Sequence, residues 1–168
     1  MVIEDYIVKG IYSVVDYFIM KNCKALERVD EVVDIDKVML DNLFEMGIRG
    51  FIIDVDETLR FAGKKIPLVN KEWLDMVRER FKVVILSNGR DDKINKYFKS
   101  EGIDYIYFAT KPLKKGFNRA LTSLKLKPEE VVIIGNDSFS DLYGATRNNM
   151  KCVLVKKRKV GGRNEKAL

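Results

Sequence analysis

The sequence predicts an α/β protein built on a doubly wound, mainly parallel five-stranded sheet with helices on both faces. Three observations predict it. Five short apolar runs recur along the chain: Gly50-Phe51-Ile52-Ile53-Asp54, Phe81-Lys82-Val83-Val84-Ile85-Leu86, Tyr105-Ile106-Tyr107-Phe108, Val131-Val132-Ile133-Ile134-Gly135 and Cys152-Val153-Leu154-Val155. Four of them are mostly unalternated, as expected of strands buried on both faces. Single helical patterns near 70–80, 91–101, 114–124 and 139–149 separate successive runs, as crossovers between parallel strands require. With 168 residues, 46% of them apolar, the chain has the size and composition of one globular domain.

Taken in order, residues 1–48 read as a helical extension packed on the core. Asp5, Lys9, Ser13 and Asp16 fall on one helical stripe, while Ile7, Ile11, Tyr12, Val14, Val15, Phe18 and Ile19 cover the remainder. This wide apolar face favours packing on the sheet, with a partner-binding or membrane-surface helix as the alternative. Four bases against eight acids in residues 1–36 argue against simple adsorption to anionic lipid. Residues 49–155 hold the strands and helices of the sheet domain. Residues 156–168, with Lys156-Lys157-Arg158-Lys159 and Gly161-Gly162, read as a basic disordered tail. The net charge of +6 therefore divides into −4 for residues 1–36, +5 for 37–155 and +5 for the tail.

Composition excludes several chemistries. The chain has no histidine, so Ser-His-Asp and Cys-His catalysis, histidine zinc sites and imidazole acid–base work are ruled out. Cys23 and Cys152 are far apart and belong to no C-x-x-C, which argues against a disulfide framework or structural zinc. Two free thiols point to a cytoplasmic protein, and Cys152, inside an apolar run, reads as a small buried hydrophobe. The N-terminus does not resemble a secretory signal, and its longest uncharged stretch, Gly10 to Val15, is far too short to span a membrane. No G-x-G-x-x-G follows the first strand, and no G-x-x-x-x-G-K-[ST] is present.

In doubly wound sheets ligands bind at the carboxyl ends of the strands, so the residues following each run carry the functional reading. The first run leads into Asp54-Val55-Asp56-Glu57-Thr58-Leu59. Two carboxylates at i and i+2 on a strand becoming a loop can both reach one site, one attacking and the other exchanging protons; a capped turn would use the same residues. The second run leads into Ser87-Asn88-Gly89-Arg90, a hydroxyl and a turn whose N–H groups suit a small anion, or an ordinary turn. The third is followed by Lys111-Pro112, an ammonium at the same edge. The fourth leads into Gly135-Asn136-Asp137-Ser138-Phe139-Ser140-Asp141, oxygen-rich side chains suited to a hard cation such as magnesium or to a helix cap.

Together these four elements resemble the signature motifs of the haloacid dehalogenase (HAD) superfamily of phosphohydrolases, over residues 47–155. Val32-Val33-Asp34-Ile35-Asp36, Leu43, Gly47-Ile48-Arg49-Gly50, Lys111-Pro112 and Asn118-Arg119-Ala120 are similar to its YqeG-like branch (subclass IIIA), which includes phosphatidylglycerophosphate phosphatases. The resemblance implies a Rossmann-like sheet and a magnesium-dependent phosphatase. It implies Asp54 as the nucleophile that forms an aspartyl-phosphate and Asp56 as general acid and base. Ser87 and Lys111 would bind and neutralise the phosphoryl group, with Thr58 bracing the loop and Asn88 and Gly89 at the substrate. Magnesium would be held by Asp54, the Asp56 carbonyl and one or more of Asn136, Asp137 and Asp141. Asn136 stands where the family commonly has aspartate, which implies weaker magnesium affinity. An acid at position 56 favours phosphate-ester hydrolysis over carbon–halogen cleavage.

Only 28 residues, 59–86, separate Thr58 from Ser87, and only 23, 88–110, separate Ser87 from Lys111. Each stretch is consumed by a helix and a strand, so no cap domain fits. The open site and the basic loops carrying Arg60, Lys64, Lys65, Arg90, Lys93, Lys111, Lys114 and Lys115 imply an anionic, large substrate such as a lipid head group or a macromolecule. Peripheral membrane contact and a homodimer are compatible with this reading. The competing expectation is a catalytically weak adaptor that docks a partner through its N-terminal helix. Specific nucleic-acid binding ranks last, because the basic tail lacks interleaved aromatics.

Overall fold

The computed structural model describes residues 13–156. The expected stripe at Asp5, Lys9 and the apolar positions up to Tyr12 therefore lies outside the described residues, as does the tail from residue 157 onward.

Six parallel strands form one sheet: β1 (Glu27–Val29), β2 (Gly50–Ile53), β3 (Lys82–Leu86), β4 (Asp104–Ile106), β5 (Val131–Gly135) and β6 (Lys151–Val155). Their order is β1-β6-β5-β2-β3-β4. The connecting helices are α1 (13–22), α2 (Lys37–Glu45), α3 (Leu68–Arg78), α4 (Asp92–Ser100), α5 (Lys114–Leu124) and the short α6 (Gly144–Arg147). All five expected strands are present. The strand expected over 105–108 is shifted, because Phe108 and Thr110 adopt left-handed backbone (φ 48° and 56°) that no strand can carry. The helix expected over 139–149 is divided into a π-helical turn, Ser138–Tyr143, and α6.

β1 is the addition that the periodicity did not foresee. Its Glu-Arg-Val sequence has no apolar alternation, and only pairing with β6 makes it a strand: Glu27 faces Val153 and Val29 faces Val155. Residues 13–48 are thus part helix, part sheet. Val32, Ile35, Leu40, Leu43 and Ile48 sit in the same apolar cluster as Phe51, Ile53 and Trp73. Asp34 and Asp36 are spent on local backbone, accepting from Glu31 N and Met39 N, so this acid pair caps the starts of a helical turn and of α2, away from the strand-end motifs.

β2 and β5 are buried along their whole length because each face meets a separate core. Phe51, Ile53, Ile85, Ile134 and Val153 project toward α2, α3 and α4, where Trp73, Leu74, Val77 and Phe98 meet them. Ile52, Val84, Leu86, Ile133 and Cys152 project toward α1, α5 and α6, against Ile19, Phe117, Ala120 and Ala145. The strand period of two thus fills two cores from one run. Cys23 and Cys152 are both free and buried in the second core. No helix among the described residues is long and apolar enough to cross a membrane.

Between Thr58 and Ser87 lie only α3 and β3, and between Ser87 and Lys111 only α4 and β4, so no cap domain is present. From β2 the chain winds outward to β3 and β4, then returns to β5 on the other side of β2. This reversal makes the carboxyl ends of β2 and β5 the crevice where such sheets bind ligands.

Trp73 ties the N-terminal segment to this core, its Nε1 donating to the Ile35 carbonyl at 3.0 Å. Trp73→Phe keeps most of the apolar contact but orphans that buried carbonyl, and is expected to cost about 1–3 kcal/mol of stability, read as a lowered urea midpoint.

Candidate functional site

Backbone pairing fixes where each motif begins. Asp54 N donates to Ile134 O (2.9 Å) and Ser87 N to Ile106 O (2.9 Å), so both residues are still held by the sheet when their side chains reach its edge. Beyond Asp54 the chain tightens: Thr58 N, Leu59 N and Arg60 N all donate to the Val55 carbonyl, with Glu57 in a left-handed conformation (φ 62°).

The centre of the site is Lys111. Its Nζ donates to Asp54 Oδ1 (2.7 Å) and to Asp141 Oδ1 (2.6 Å), and all three side chains are largely or wholly shielded from solvent. Asp141 reaches this position because residue 135 is glycine. A Cβ at Gly135 would stand 2.3 Å from Asp141 Cγ, so any larger residue would expel the carboxylate. The π-helical turn carries Asp141 inward, and its Oδ2 also accepts from Asp137 N (3.1 Å). Burial opposes the charge on Lys111, but Asp141 and Asp54 overcome it and hold the ammonium above its ordinary range. Burial pushes Asp54 up to about 6, with Lys111 drawing it back down and Asp141 adding to the rise.

The other expected residues fall into three groups. Thr58 is fully buried, and the single proton of its hydroxyl faces both Asn136 Oδ1 (3.2 Å) and Asp54 Oδ2 (3.4 Å). It links the first and fourth motifs. Asn88 links the second and third: its Oδ1 accepts from Lys111 N (2.7 Å) and its Nδ2 donates to Lys111 O (3.1 Å). Ser87 Oγ accepts from Gly89 N (3.2 Å), beside the Lys111 loop. Asp56 and Asp137 are engaged elsewhere. Asp137 caps the π-helical turn, accepting from Phe139 N and Ser140 N, and Asp56 accepts from Arg60.

Arg60 differs from its expected place among the free basic loop residues. It is buried and paired with Asp56 and Asp91, so its charge is spent internally. Nothing in the local sequence marks it, since Asp91 lies 31 residues away and is brought near only by the fold.

Among the described residues no three Asp, Glu, Cys or His side chains cluster to hold a metal. The site's oxygen donors are of another kind: the Asp54 carboxylate and the Asn136 amide oxygen share one hydroxyl proton, and the Asp56 carbonyl lies two residues along the same loop. That set leaves acceptor capacity unfilled and suits a hard cation that keeps several waters. Asp141, like Asp54, is paired with Lys111.

Replacing Lys111 by Met would leave Asp54 and Asp141 buried without their shared cation. With chelator present, the variant is expected to lose about 3–5 kcal/mol near pH 8. Because the folded state then favours protonated carboxyls, and Lys111 no longer draws the Asp54 carboxyl down, stability should recover as pH falls from this raised range toward the unfolded carboxylate range. Urea midpoints at pH 8 and 5 read the difference.

Comparison with known proteins agrees with this geometry. The HAD-hydrolase-like family model matches residues 108–166. The chain is 34% identical over 129 residues to the "Probable phosphatase YqeG" of Bacillus subtilis, covering 75% of each protein. It is 29% identical over 102 residues to the glyceraldehyde 3-phosphate phosphatase of Pyrococcus furiosus, spanning 55% of this chain and 42% of that protein. Among solved structures, a predicted HAD-like family hydrolase from Porphyromonas gingivalis superposes with a TM-score of 0.54 at 12% identity, covering 68% of this chain and 94% of that one. A HAD phosphatase from Thermococcus onnurineus gives 0.51 at 15% identity, covering 70% and 90%; these two share the fold. With a sheet that delivers an aspartate, a serine and a lysine to one edge, and with this degree of identity across three quarters of its length, the chain belongs to the YqeG-type phosphatases of the HAD superfamily.

Proposed function

We propose that the protein hydrolyses phosphate monoesters with magnesium, through an aspartyl-phosphate formed on Asp54. The observation that carries this reading is the ammonium of Lys111 seated 2.7 Å from Asp54 Oδ1 at the crevice between β2 and β5. An anionic nucleophile approaching an anionic phosphoryl group needs such a neutralising cation, and phosphoryl transfer is largely positioning and charge neutralisation.

In the proposed reaction an Asp54 oxygen attacks phosphorus as the bond to the leaving oxygen breaks, and Asp56 gives that oxygen its proton. Asp56 then takes a proton from water, whose oxygen attacks phosphorus and releases phosphate and the Asp54 carboxylate. Ser87 Oγ and the neighbouring turn hold phosphoryl oxygens, while Lys111 neutralises charge on the phosphoryl group and on Asp54. Thr58 and Asn88 keep the four loops in register through the hydrogen bonds described above. Asp54, the Asp56 carbonyl and Asn136 would hold magnesium, which when bound supplies further charge neutralisation at the phosphoryl oxygens.

The substrate is proposed to be large or amphipathic, such as a lipid phosphate. Phe108, Leu113 and Phe139 lie on the loops of the catalytic edge with 59%, 55% and 42% of their surface exposed, among Arg90, Lys114 and Lys115. Phe108 also keeps a left-handed backbone, a strained state for a bulky residue. No cap covers this rim. A second reading, docking of a partner through α1, is favoured by the exposed Val14, Tyr17 and Phe18; it gains ground if the wild type turns over none of a panel of phosphatidylglycerophosphate, sugar phosphates and phosphopeptides.

Asp54→Asn should abolish magnesium-dependent release of p-nitrophenol from p-nitrophenyl phosphate while leaving the circular dichroism spectrum unchanged; retained hydrolysis would overturn the nucleophile assignment. Asn136→Asp adds a negative ligand, and is expected to lower the magnesium concentration for half-maximal activity by about tenfold. An unchanged or higher requirement would place the metal away from residue 136.

A further inference from the structure

Arg60 is a buried cation that the proposed chemistry does not use. Its guanidinium spends three directions on two segments, its own loop and the start of α4. Nε donates to Asp56 Oδ1 (2.9 Å), Nη2 to Asp91 Oδ2 (2.9 Å) and Nη1 to the Lys64 carbonyl (2.8 Å). Asp91 is itself fixed, because its Oδ1 caps α4 by accepting from Lys93 N (2.9 Å) and Ile94 N (3.2 Å). The backbone repeats the connection, Glu57 N donating to Arg60 O at 2.7 Å, and Asn70 Nδ2 holds the preceding Leu59 carbonyl at 2.7 Å.

A surface ion pair in this place would mean little. Here the arginine side chain is 5% exposed whereas Asp56 is 42% exposed, so one end of the pair is anchored inside the protein and the other faces the open edge. A planar guanidinium imposes direction as well as charge, and it acts on one Asp56 oxygen only. Oδ2 of Asp56 accepts no hydrogen bond among the described residues, and the carboxylate is partly exposed at the open edge.

We infer that Arg60 is a positioning residue: anchored on Asp91 and the Lys64 carbonyl, it aims the Asp56 carboxyl at the leaving group and fixes the first-motif loop relative to the start of α4. An enzyme without a cap has no closing domain to complete its acid–base geometry, and this internal fork supplies a permanent one. The inference rests on the proposed role of Asp56 in leaving-group protonation.

The test is the leaving-group dependence of kcat/KM, which reports the steps up to phosphoryl transfer. Phenyl phosphate needs a proton on its leaving oxygen and 2,4-dinitrophenyl phosphate does not. Arg60→Met is expected to lower kcat/KM for phenyl phosphate by about 10- to 100-fold and for the dinitrophenyl ester by about threefold or less, with Arg60→Lys intermediate. Asp91→Asn, which loosens the anchor without touching Asp56, should shift the same ratio in the same direction and reads it even if Arg60→Met does not fold. Equal losses on the two esters in Arg60→Lys and Asp91→Asn would reduce Arg60 to a structural tie and overturn the inference. Failure of the underlying reading looks different: Asp56→Asn, which has no proton to give, would then lower kcat/KM equally for both esters.

Discussion

Three charges largely shielded from solvent set the terms for the whole catalytic edge. Lys111 cannot be buried without anions, and Asp54 and Asp141 cannot be buried together without a cation. Each strand end is therefore built to bring its group to one point. Gly135 removes the Cβ that would block Asp141, the π-helical turn swings that carboxylate inward, and Asn88 holds the Lys111 backbone from both sides. The close approach of α5 to the loop before Lys111 depends on a second glycine. A Cβ at Gly116 would lie 2.3 Å from the Ala109 carbonyl oxygen. The constraint is thus shared among loops after β2, β3, β4 and β5, which is why the site occupies the crevice where the strand order reverses.

Beside this centre lies a second charged layer with a different character. Arg60, Asp56 and Asp91 join the first-motif loop to the start of α4, and their exposure grades from the buried guanidinium to the accessible Asp56 carboxylate. The inner layer neutralises charge around the proposed nucleophile; the outer one holds the proposed acid and base. Asp56 pairs with Arg60, whereas the Lys111 ammonium is committed to Asp54 and Asp141. The fourth motif is economical in negative charge: Asn136 contributes an uncharged oxygen, and Asp137 and Asp141 are spent on a helix cap and on Lys111. Of the three ligand candidates that the sequence offers there, Asn136 is the one hydrogen-bonded to the Asp54 loop, through Thr58.

The N-terminal segment belongs to the same molecule-wide logic. Its α1 lays Ile19 and the following Cys23 into the second core, and Asp16 accepts a hydrogen bond from Ser138 in the fourth-motif loop. β1 extends the sheet beyond β6, and Trp73 bonds the Ile35 carbonyl. The outer face of α1 keeps Val14, Tyr17 and Phe18 exposed, near the rim that carries Phe139 stacked on Tyr143.

The doubly wound sheet, the five apolar strands, the absence of a cap and the four polar strand ends were all legible in the sequence. Each depends on local pattern: unbroken apolar runs need two covered faces, and short intervals leave no room for an inserted domain. The pairing of charges was not legible. Nothing adjacent to Arg60 marks it as buried, and Asp137 and Asp141 look equivalent until the turn between them commits one to its own backbone N–H groups and the other to Lys111. β1 was invisible for the same reason, since an edge strand of Glu, Arg and Val exists only because β6 offers it hydrogen bonds. Local propensity and spacing decide what a segment can be. Which carboxylate meets which cation is decided by contacts 30 and 57 residues apart, and only the closed sheet brings those residues within a hydrogen bond.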